Sequence, residues 1–148
     1  MKSYIILLTP IIAAFIAQII KILVVKKNKM IFKDLLKFSY AGMPSGHSAF
    51  TISLVTIIAL TQGIHSILFA ISFAFAIIVI NDALRLRQYL GQQGAVLNIL
   101  IKDLREDQFL DEKYPILKER IGHTSMEVMA GIILGIIIGI LMFYLTKI

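Results

Sequence analysis

The sequence contains no cysteine, and charged residues make up only 16% of its 148 positions. The first absence excludes disulfide bonds and thiolate-ligated metal sites, and it leaves the redox compartment open. The scarcity of charge accompanies 58% hydrophobic residues and a mean hydropathy of +0.86, well above the values of ordinary soluble domains. Because a chain this short has too little interior to bury so much apolar surface, we expect a lipid bilayer to surround it.

Acidic residues are also few, since 9 Asp/Glu stand against 15 Lys/Arg and give a formal net charge of +6. The basic residues cluster beside apolar segments, and no basic surface interleaved with aromatic residues is evident, so we expect no nucleic-acid partner. Twelve of the 15 Lys/Arg lie in two polar regions, residues 26–44 and 82–124. The positive-inside rule therefore places both regions in the cytoplasm.

Apolar stretches at residues 4–25, 45–80 and 126–145 are long enough to cross about 30 Å of hydrocarbon. The middle stretch is too long for one span, and a polar interruption with a glycine at residues 61–65 divides it into a hairpin. We therefore predict one all-α membrane domain over residues 1–148, a four-helix bundle with a cytoplasmic helical loop. The predicted spans are about 4–25, 45–61, 64–81 and 125–146, and the predicted cytoplasmic loops are 26–44 and 82–124.

This topology predicts a multi-pass protein of the plasma membrane with both termini outside. The first apolar stretch is too long for a signal peptide, and its lysines follow it, so we expect it to remain attached as a helix. Gly131, Gly135 and Gly139 recur every fourth residue in the last span and permit close helix contact. They predict tight packing inside the bundle, and they leave open a homodimer through the same glycines.

Polar side chains of the predicted spans fall at the cytoplasmic ends of the helices. Convergence of four helix ends predicts one site at that membrane face. The residues concerned are Lys21; Ser45 and His47; Asp82, Arg85 and Arg87; and His123 and Glu127.

The turn at residues 42–48, Gly-Met-Pro-Ser-Gly-His-Ser, opens directly into an apolar helix. We expect Pro44 to start that helix, which leaves the following backbone amides free, and Gly46 to let a ligand approach them. Together with the Ser45 hydroxyl these donors form an anion seat, and His47 stands within proton-transfer reach. The alternative is an ordinary helix start with a histidine at the membrane interface.

His123 and Glu127 are four residues apart and share one helix face, so the carboxylate can bind one ring nitrogen. That bond fixes the tautomer and leaves the other nitrogen free as a base or nucleophile. The alternative is a helix cap beside a glutamate that pairs with a lysine. Two histidines and a glutamate can ligate zinc, but the Pro-Ser-Gly-His turn supplies anion donors, so we expect no metal.

The guanidinium of Arg87 matches phosphate oxygens in bidentate geometry. The alternative is a basic flank after a membrane span, and for Arg85 it is the better interpretation. For Lys21 the alternative is snorkelling to the interface, and for Lys118 a solvated charge.

Three blocks of these residues resemble a known family, in order and over nearly the whole chain. The blocks are Gly-Met-Pro-Ser-Gly-His-Ser-Ala at residues 42–49, residues 82–98 with Asp82, Arg87, Gly91, Gln93 and Asn98, and residues 117–131 with Gly122, His123, Thr124, Glu127 and Gly131. The resemblance is to the divergent branch of the type 2 phosphatidic acid phosphatases, a superfamily that includes bacterial acid phosphatases and vanadium haloperoxidases.

The resemblance implies that His47 protonates the leaving group, that His123 attacks phosphorus and that Glu127, in place of the usual aspartate, orients it. It implies a helical membrane hydrolase, without a cofactor, that cleaves a phosphoric monoester or diphosphate of a phospholipid or isoprenoid. The predicted cytoplasmic position of the site adds the expectation that the substrate lies in the inner leaflet. The phosphate-binding candidates are Lys21, Ser45, Gly46, Arg87 and Lys118, and the further site candidates are Ser48, Asp82 and Arg85.

Two other functions remain open. The Arg-Pro and Ser-Arg elements of the superfamily are missing, which favours a binder or carrier of anionic lipid that kept the pocket and lost hydrolysis. The third interpretation is a small structural membrane protein.

Overall fold

The computed structural model describes residues 4–25, 42–106, 116–119 and 121–146, and every secondary-structure element in these ranges is helical. The predicted all-α membrane fold is thereby confirmed. The helices are α1 (Tyr4–Val25), α2 (Gly46–Gln62), α3 (Ile67–Asn81), a π-helical turn (Asp82–Leu86), α4 (Arg87–Glu106) and α5 (Ser125–Leu145). Residues 26–41 of the first predicted cytoplasmic loop and residues 107–115 of the second lie outside the described ranges.

Helix α2 is the centre of the bundle, with α1, α3 and α5 packed around it, and α1 also contacts α5. Small side chains make this close packing possible. Ala13 and Ala17 of α1 are fully buried together with Ala49 of α2 and Ile138 of α5.

The glycine stripe of α5 faces α2 of the same chain. A Cβ atom at Gly135 would lie 2.8 Å from the Ala49 carbonyl oxygen, and one at Gly139 would lie 2.6 Å from the Thr56 Cβ. At Gly131 it would collide with the Ser45 carbonyl oxygen. The predicted close packing is therefore present within the chain, and a homodimer through these glycines stays a prediction.

The hairpin between α2 and α3 turns at Gly63, whose φ of +84° favours glycine. Ser66 caps α3 by accepting a hydrogen bond from the Phe69 amide at 3.2 Å. The predicted hairpin is present, although α3 begins at Ile67 rather than at residue 64.

The structure differs from the sequence prediction after residue 81. In place of a polar loop with short helices, helical structure continues from α3 through the π-helical turn into α4 and ends at Glu106. No proline interrupts residues 67–106, and the charges that mark the membrane boundary do not themselves break a helix. Forty helical residues correspond to about 60 Å, roughly twice the hydrocarbon thickness.

Three helical segments in the described ranges are long and apolar enough to cross a membrane: Tyr4–Val24, Ile67–Asp103 and Ser125–Leu145. The fourth apolar helix, Gly46–Gln62, is shorter. These four segments match the predicted spans in number and order.

Candidate active site

The C-terminal end of α1, the start of α2, the π-helical turn and the start of α5 meet at one end of the bundle. Lys21, His47 and Asp82 come from the first three elements, Arg87 directly follows the π-helical turn as the first residue of α4, and His123 directly precedes α5. Electrostatic interactions join Lys21 and Arg87 to both histidines. The predicted convergence of these residues is therefore present in the structure.

His123 is held by its neighbour one turn along α5. Its Nδ1 lies 3.1 Å from the Glu127 Oε2, and its side chain is almost fully buried. The same carboxylate accepts a hydrogen bond from the Thr124 amide at 3.0 Å, while the Thr124 hydroxyl accepts from the Glu127 amide at 3.3 Å. Glu127 thus closes a capping box and binds the ring at once, so the predicted contact between His123 and Glu127 and the helix cap are both present.

Burial lowers the pKa of His123 below its usual value of 6.5. The hydrogen bond and charge of Glu127 act in the opposite direction, while the positive charges of Lys21 and Arg87 lower the pKa further. The neutral imidazole is therefore favoured, and that is the form of histidine that carries a free nucleophilic nitrogen.

The backbone of His123 is fixed by the long α3–α4 helix. Its amide donates to the Ala83 carbonyl at 3.0 Å, within the π-helical turn, and its carbonyl accepts from the Gln88 side chain at 3.0 Å. Gly122, with φ +104°, lets the chain pass close to the start of α4, where a Cβ would lie 3.1 Å from the Gln88 amide nitrogen. Interruption of regular helix by a π turn is frequent at functional sites.

His47 lies across from His123, with ring centroids 6.0 Å apart and planes inclined by 62°. It belongs to the first turn of α2 and is exposed, whereas His123 is only 4% exposed. Two imidazoles of different exposure thus face one another at the end of the bundle. That pairing can serve an acid and a nucleophile.

The turn before α2 differs from its prediction. The helix begins at Gly46 with Ser45 as its cap, so Pro44 precedes the helix instead of starting it. The Ser45 amide donates to the Glu127 carbonyl at 2.8 Å, and its fully buried hydroxyl accepts from the Ser48 hydroxyl at 3.1 Å. Both groups of Ser45 therefore hold the turn against α5.

The backbone amides of Gly46 and His47 can still bind an anion, because the first amides of a helix have no acceptor within the helix. The buried Ser48 hydroxyl and the Ser45 hydroxyl bind one another, so their contribution is to fix the turn.

The cations divide into two groups. Lys21 is 6% exposed and interacts electrostatically with Glu127 and both histidines, which is more than a snorkelling side chain does. The Arg87 Nε binds the Asp82 Oδ2 at 3.0 Å across the π-helical turn. Arg85 is exposed, and Lys118 is exposed beside Gly94, two turns along α4 from Arg87, so the structure does not group these two with the histidines.

Helix α4 carries a set of contacts that the sequence prediction missed. The Asn98 side chain donates to the Leu117 carbonyl and the Glu119 carboxylate, each at 2.9 Å, and accepts from the Leu117 amide at 2.9 Å. Gly91 and Gly94 let the backbone of residues 117–119 lie directly on the helix. These residues fix the segment that leads to His123. Gly91 and Asn98 belong to the block at residues 82–98 that resembles the family, and this membership was the sequence feature that could have identified them.

An open cleft of about 260 Å³ borders His123 on the α4 side. Its lining comprises Gln88, Gln92, Glu119, Ile121, Gly122, His123 and Thr124, without His47. Among the described residues, no three His, Asp or Glu side chains are grouped so as to hold a metal ion.

The profile of the divergent PAP2 family matches residues 3–138 of the chain. The chain is also 35% identical, over 151 aligned positions, to the Bacillus subtilis (strain 168) protein named Uncharacterized membrane protein YuiD, covering 93% of each chain. No solved structure matches. Both matches extend over most of the chain, and the chain folds as a helical membrane bundle. This membrane protein therefore belongs to the divergent PAP2 family.

Proposed function

We propose that this protein is a membrane phosphatase that hydrolyses a lipid phosphate or diphosphate through a phosphohistidine intermediate. The observation that supports it most is the His123 ring, bound through Nδ1 to Glu127 and 6.0 Å from the His47 ring. A proton donor must come within about 3 Å of the leaving oxygen, and two rings this close are within reach of one phosphoryl group.

In the first step the free Nε2 of His123 attacks phosphorus, and the bond from phosphorus to the leaving oxygen breaks. His47 gives its proton to that oxygen, so the alcohol or phosphate leaves in protonated form. In the second step water attacks phosphorus, the P–N bond breaks and His47 takes a proton from the water. Glu127 keeps Nδ1 protonated and the ring oriented throughout.

The charge that develops on the phosphoryl oxygens needs fixed donors around it. Lys21 and Arg87 supply positive charge from two sides, since both interact electrostatically with the two histidines. The start of α2 adds the amides of Gly46 and His47 and the positive end of the helix dipole. Ser45 and Ser48 act indirectly in this proposal by fixing that helix start.

The substrate class follows from the position of the site at the ends of membrane helices. A phosphate head group lies at the same depth as those ends, while its apolar chain remains in the bilayer. Because twelve of the 15 Lys/Arg belong to regions on this side of the bundle, we propose that the site faces the cytoplasm and takes inner-leaflet lipids.

The test is the substitution His123→Ala in purified protein, assayed against a panel of phospholipid and isoprenoid phosphates by release of free phosphate. We expect turnover to be lost, because no other nucleophile replaces the imidazole. The matched control is His65→Ala, the same change at an exposed histidine in the α2–α3 turn, which should leave turnover unchanged.

Phosphate release by His123→Ala at the wild-type rate would rule out this mechanism. A wild-type protein that binds a polyprenyl phosphate and releases no phosphate at any pH would instead identify the anionic-lipid carrier. Unchanged lipid binding after alanine substitution of both histidines and Arg87 would point to a structural role.

A further inference from the structure

Four leucines form an exposed row that begins at the last residue of the π-helical turn and continues along α4. We call this row, together with the glutamine in its middle, the leucine face. Leu86, Leu90, Leu97 and Leu100 are 56%, 55%, 47% and 50% exposed, and Gln93 is exposed as well. The successive spacings are four, three, four and three residues, the period of 3.5 that characterises a two-stranded coiled coil.

The leucine face is distinct from the face of α4 that serves the candidate active site. Gly91, Gly94 and Asn98 contact residues 117–119, and at 3.6 residues per turn they lie about a quarter turn or more from the centre of the leucine face. Among the described residues, the π-helical turn is the main helical neighbour of α4, and the four leucines remain about half exposed.

The hydrocarbon of the bilayer does not reach most of this row. About 20 helical residues cross the hydrocarbon, so a helix that starts at Ile67 leaves it near Leu86, beside the charged Asp82 and Arg87. The remainder of α4 extends roughly 30 Å beyond that point. Half-exposed leucines at this spacing outside the hydrocarbon are typical of an interaction surface.

We propose that α4 pairs with α4 of a second copy of this chain through the leucine face, as a short parallel coiled coil beside the active site. Insertion in the membrane gives all copies the same orientation, so a two-fold axis along the membrane normal makes the two helices parallel. Gln93 then faces its own symmetry mate, and a single polar residue in an apolar seam fixes register.

The area of the face is sufficient for such a pair. Tyr89 and Val96, 61% and 58% exposed, widen the leucine face on one side. Burial of these side chains in both copies removes on the order of 1,200 Å² from water, the lower limit of a specific interface. The glycine stripe of α5 is not required, because it already contacts α2 of the same chain.

The absence of cysteine permits a direct test of this pairing, which is independent of whether the protein hydrolyses phosphate. Single substitutions Gln93→Cys and Leu97→Cys are introduced into the full chain, and native membranes are treated with copper phenanthroline. We expect disulfide-linked dimers from both. The matched controls Gln92→Cys and Lys102→Cys, exposed on other sides of α4, should remain monomeric.

A second measurement uses light scattering of the protein in nanodiscs. The wild type should contain two copies, and the double variant Leu90→Glu/Leu97→Glu one copy, with its helical circular dichroism retained. A one-copy wild type, or equal crosslinking at all four cysteine positions, would overturn the proposal. In that one-copy protein, protection of Leu97→Cys from a water-soluble maleimide would assign the leucine face to lipid or to another part of the same chain.

Discussion

Two regions of the molecule are held together in different ways. One is the group of helices α1, α2 and α5, which we call the packed group, and the other is the long helix formed by α3, the π-helical turn and α4. Seven residues of α2 are buried between small side chains, whereas α3 buries only Ser72 and Ala76. The first group is held by close backbone packing. The long helix packs on α2 through its α3 part, while its α4 part is held at the π-helical turn and through polar contacts with residues 117–119 and 123.

The two candidate catalytic histidines depend on these regions unequally. His47 is carried by the packed group alone, since Ser45 fixes its turn against α5. His123 depends on both regions, because its ring binds Glu127 of α5 while its backbone binds Ala83 and Gln88 of the long helix. Damage to the packed group should therefore unfold the protein, and damage to α4 should displace one histidine.

The largest expected effect is that of Gly135→Val, which breaks the packed group. Its side chain would begin 2.8 Å from the Ala49 carbonyl oxygen and 3.0 Å from the Ser53 amide, so α2 and α5 must separate. Overpacking of this kind costs about 3 kcal/mol or more when backbone stands in the way. We expect little folded protein, or a clearly lower Tm by circular dichroism in detergent.

The control for this prediction is Ala74→Val, which adds two methyl groups to an exposed position of α3. It should leave the Tm within a few degrees of wild type, since surface substitutions change stability by about 0.5 kcal/mol or less. Equal melting of the two variants would show that α5 does not pack on α2 through its glycines.

A smaller effect, on activity and not on folding, is expected from Asn98→Asp. An aspartate cannot donate to the Leu117 carbonyl, and its charge would oppose Glu119, so residues 117–119 lose their attachment to α4. Displacement of His123 by about 1 Å can cost up to a hundredfold in rate. We expect kcat to fall by roughly tenfold or more, with KM and Tm nearly unchanged.

Lys102→Ala, an exposed change farther along α4, is the matched control and should retain wild-type kcat. Limited proteolysis supplies a readout that does not need turnover, because the Asn98→Asp protein should be cut faster near residue 117. Wild-type kcat together with wild-type proteolysis would show that Asn98 does not position this segment.

Hydropathy and glycine spacing predicted the packed group well. The spans at residues 4–25, 45–61 and 125–146 agree with α1, α2 and α5 to within one residue at each end. Hydropathy shows which residues are apolar, and glycine spacing shows how closely two helices can approach. These two properties determine how a bundle packs when small residues line its interfaces.

The long helix and its contacts escaped prediction for a physical reason. Charge marks where a chain leaves the hydrocarbon, but it does not mark where a helix ends, so residues 82–106 gave no sign of continuity. The attachment of residues 117–119 depends on backbone groups that have no sequence signature. Gly131 illustrates a further limit, because its spacing predicted packing but not that it would bring the Ser45 turn against Glu127.

The smallest expected effect concerns the pH dependence of His123. Burial, and the positive charge of Lys21 among other causes, lower the pKa of His123 below 6.5, so the neutral nucleophile persists below that pH. The acid limb of kcat/KM should therefore lie below pH 6.5. The free energy of unfolding changes with pH in the same direction. The contribution of neutral His123 is complete above the pKa of the unfolded state and is lost as the pH falls through the lower pKa of the folded state.

Removal of the positive charge by Lys21→Met should raise the pKa of His123 and move the acid limb to higher pH. The shift is expected to be small, because Lys21 contributes less than burial does. The overall rate will also fall, since Lys21 is a phosphate-binding candidate, so the position of the limb is the informative quantity. Lys21→Arg keeps the charge and should leave the limb in place, whereas a limb that moves to lower pH in Lys21→Met would contradict the electrostatic coupling between α1 and His123.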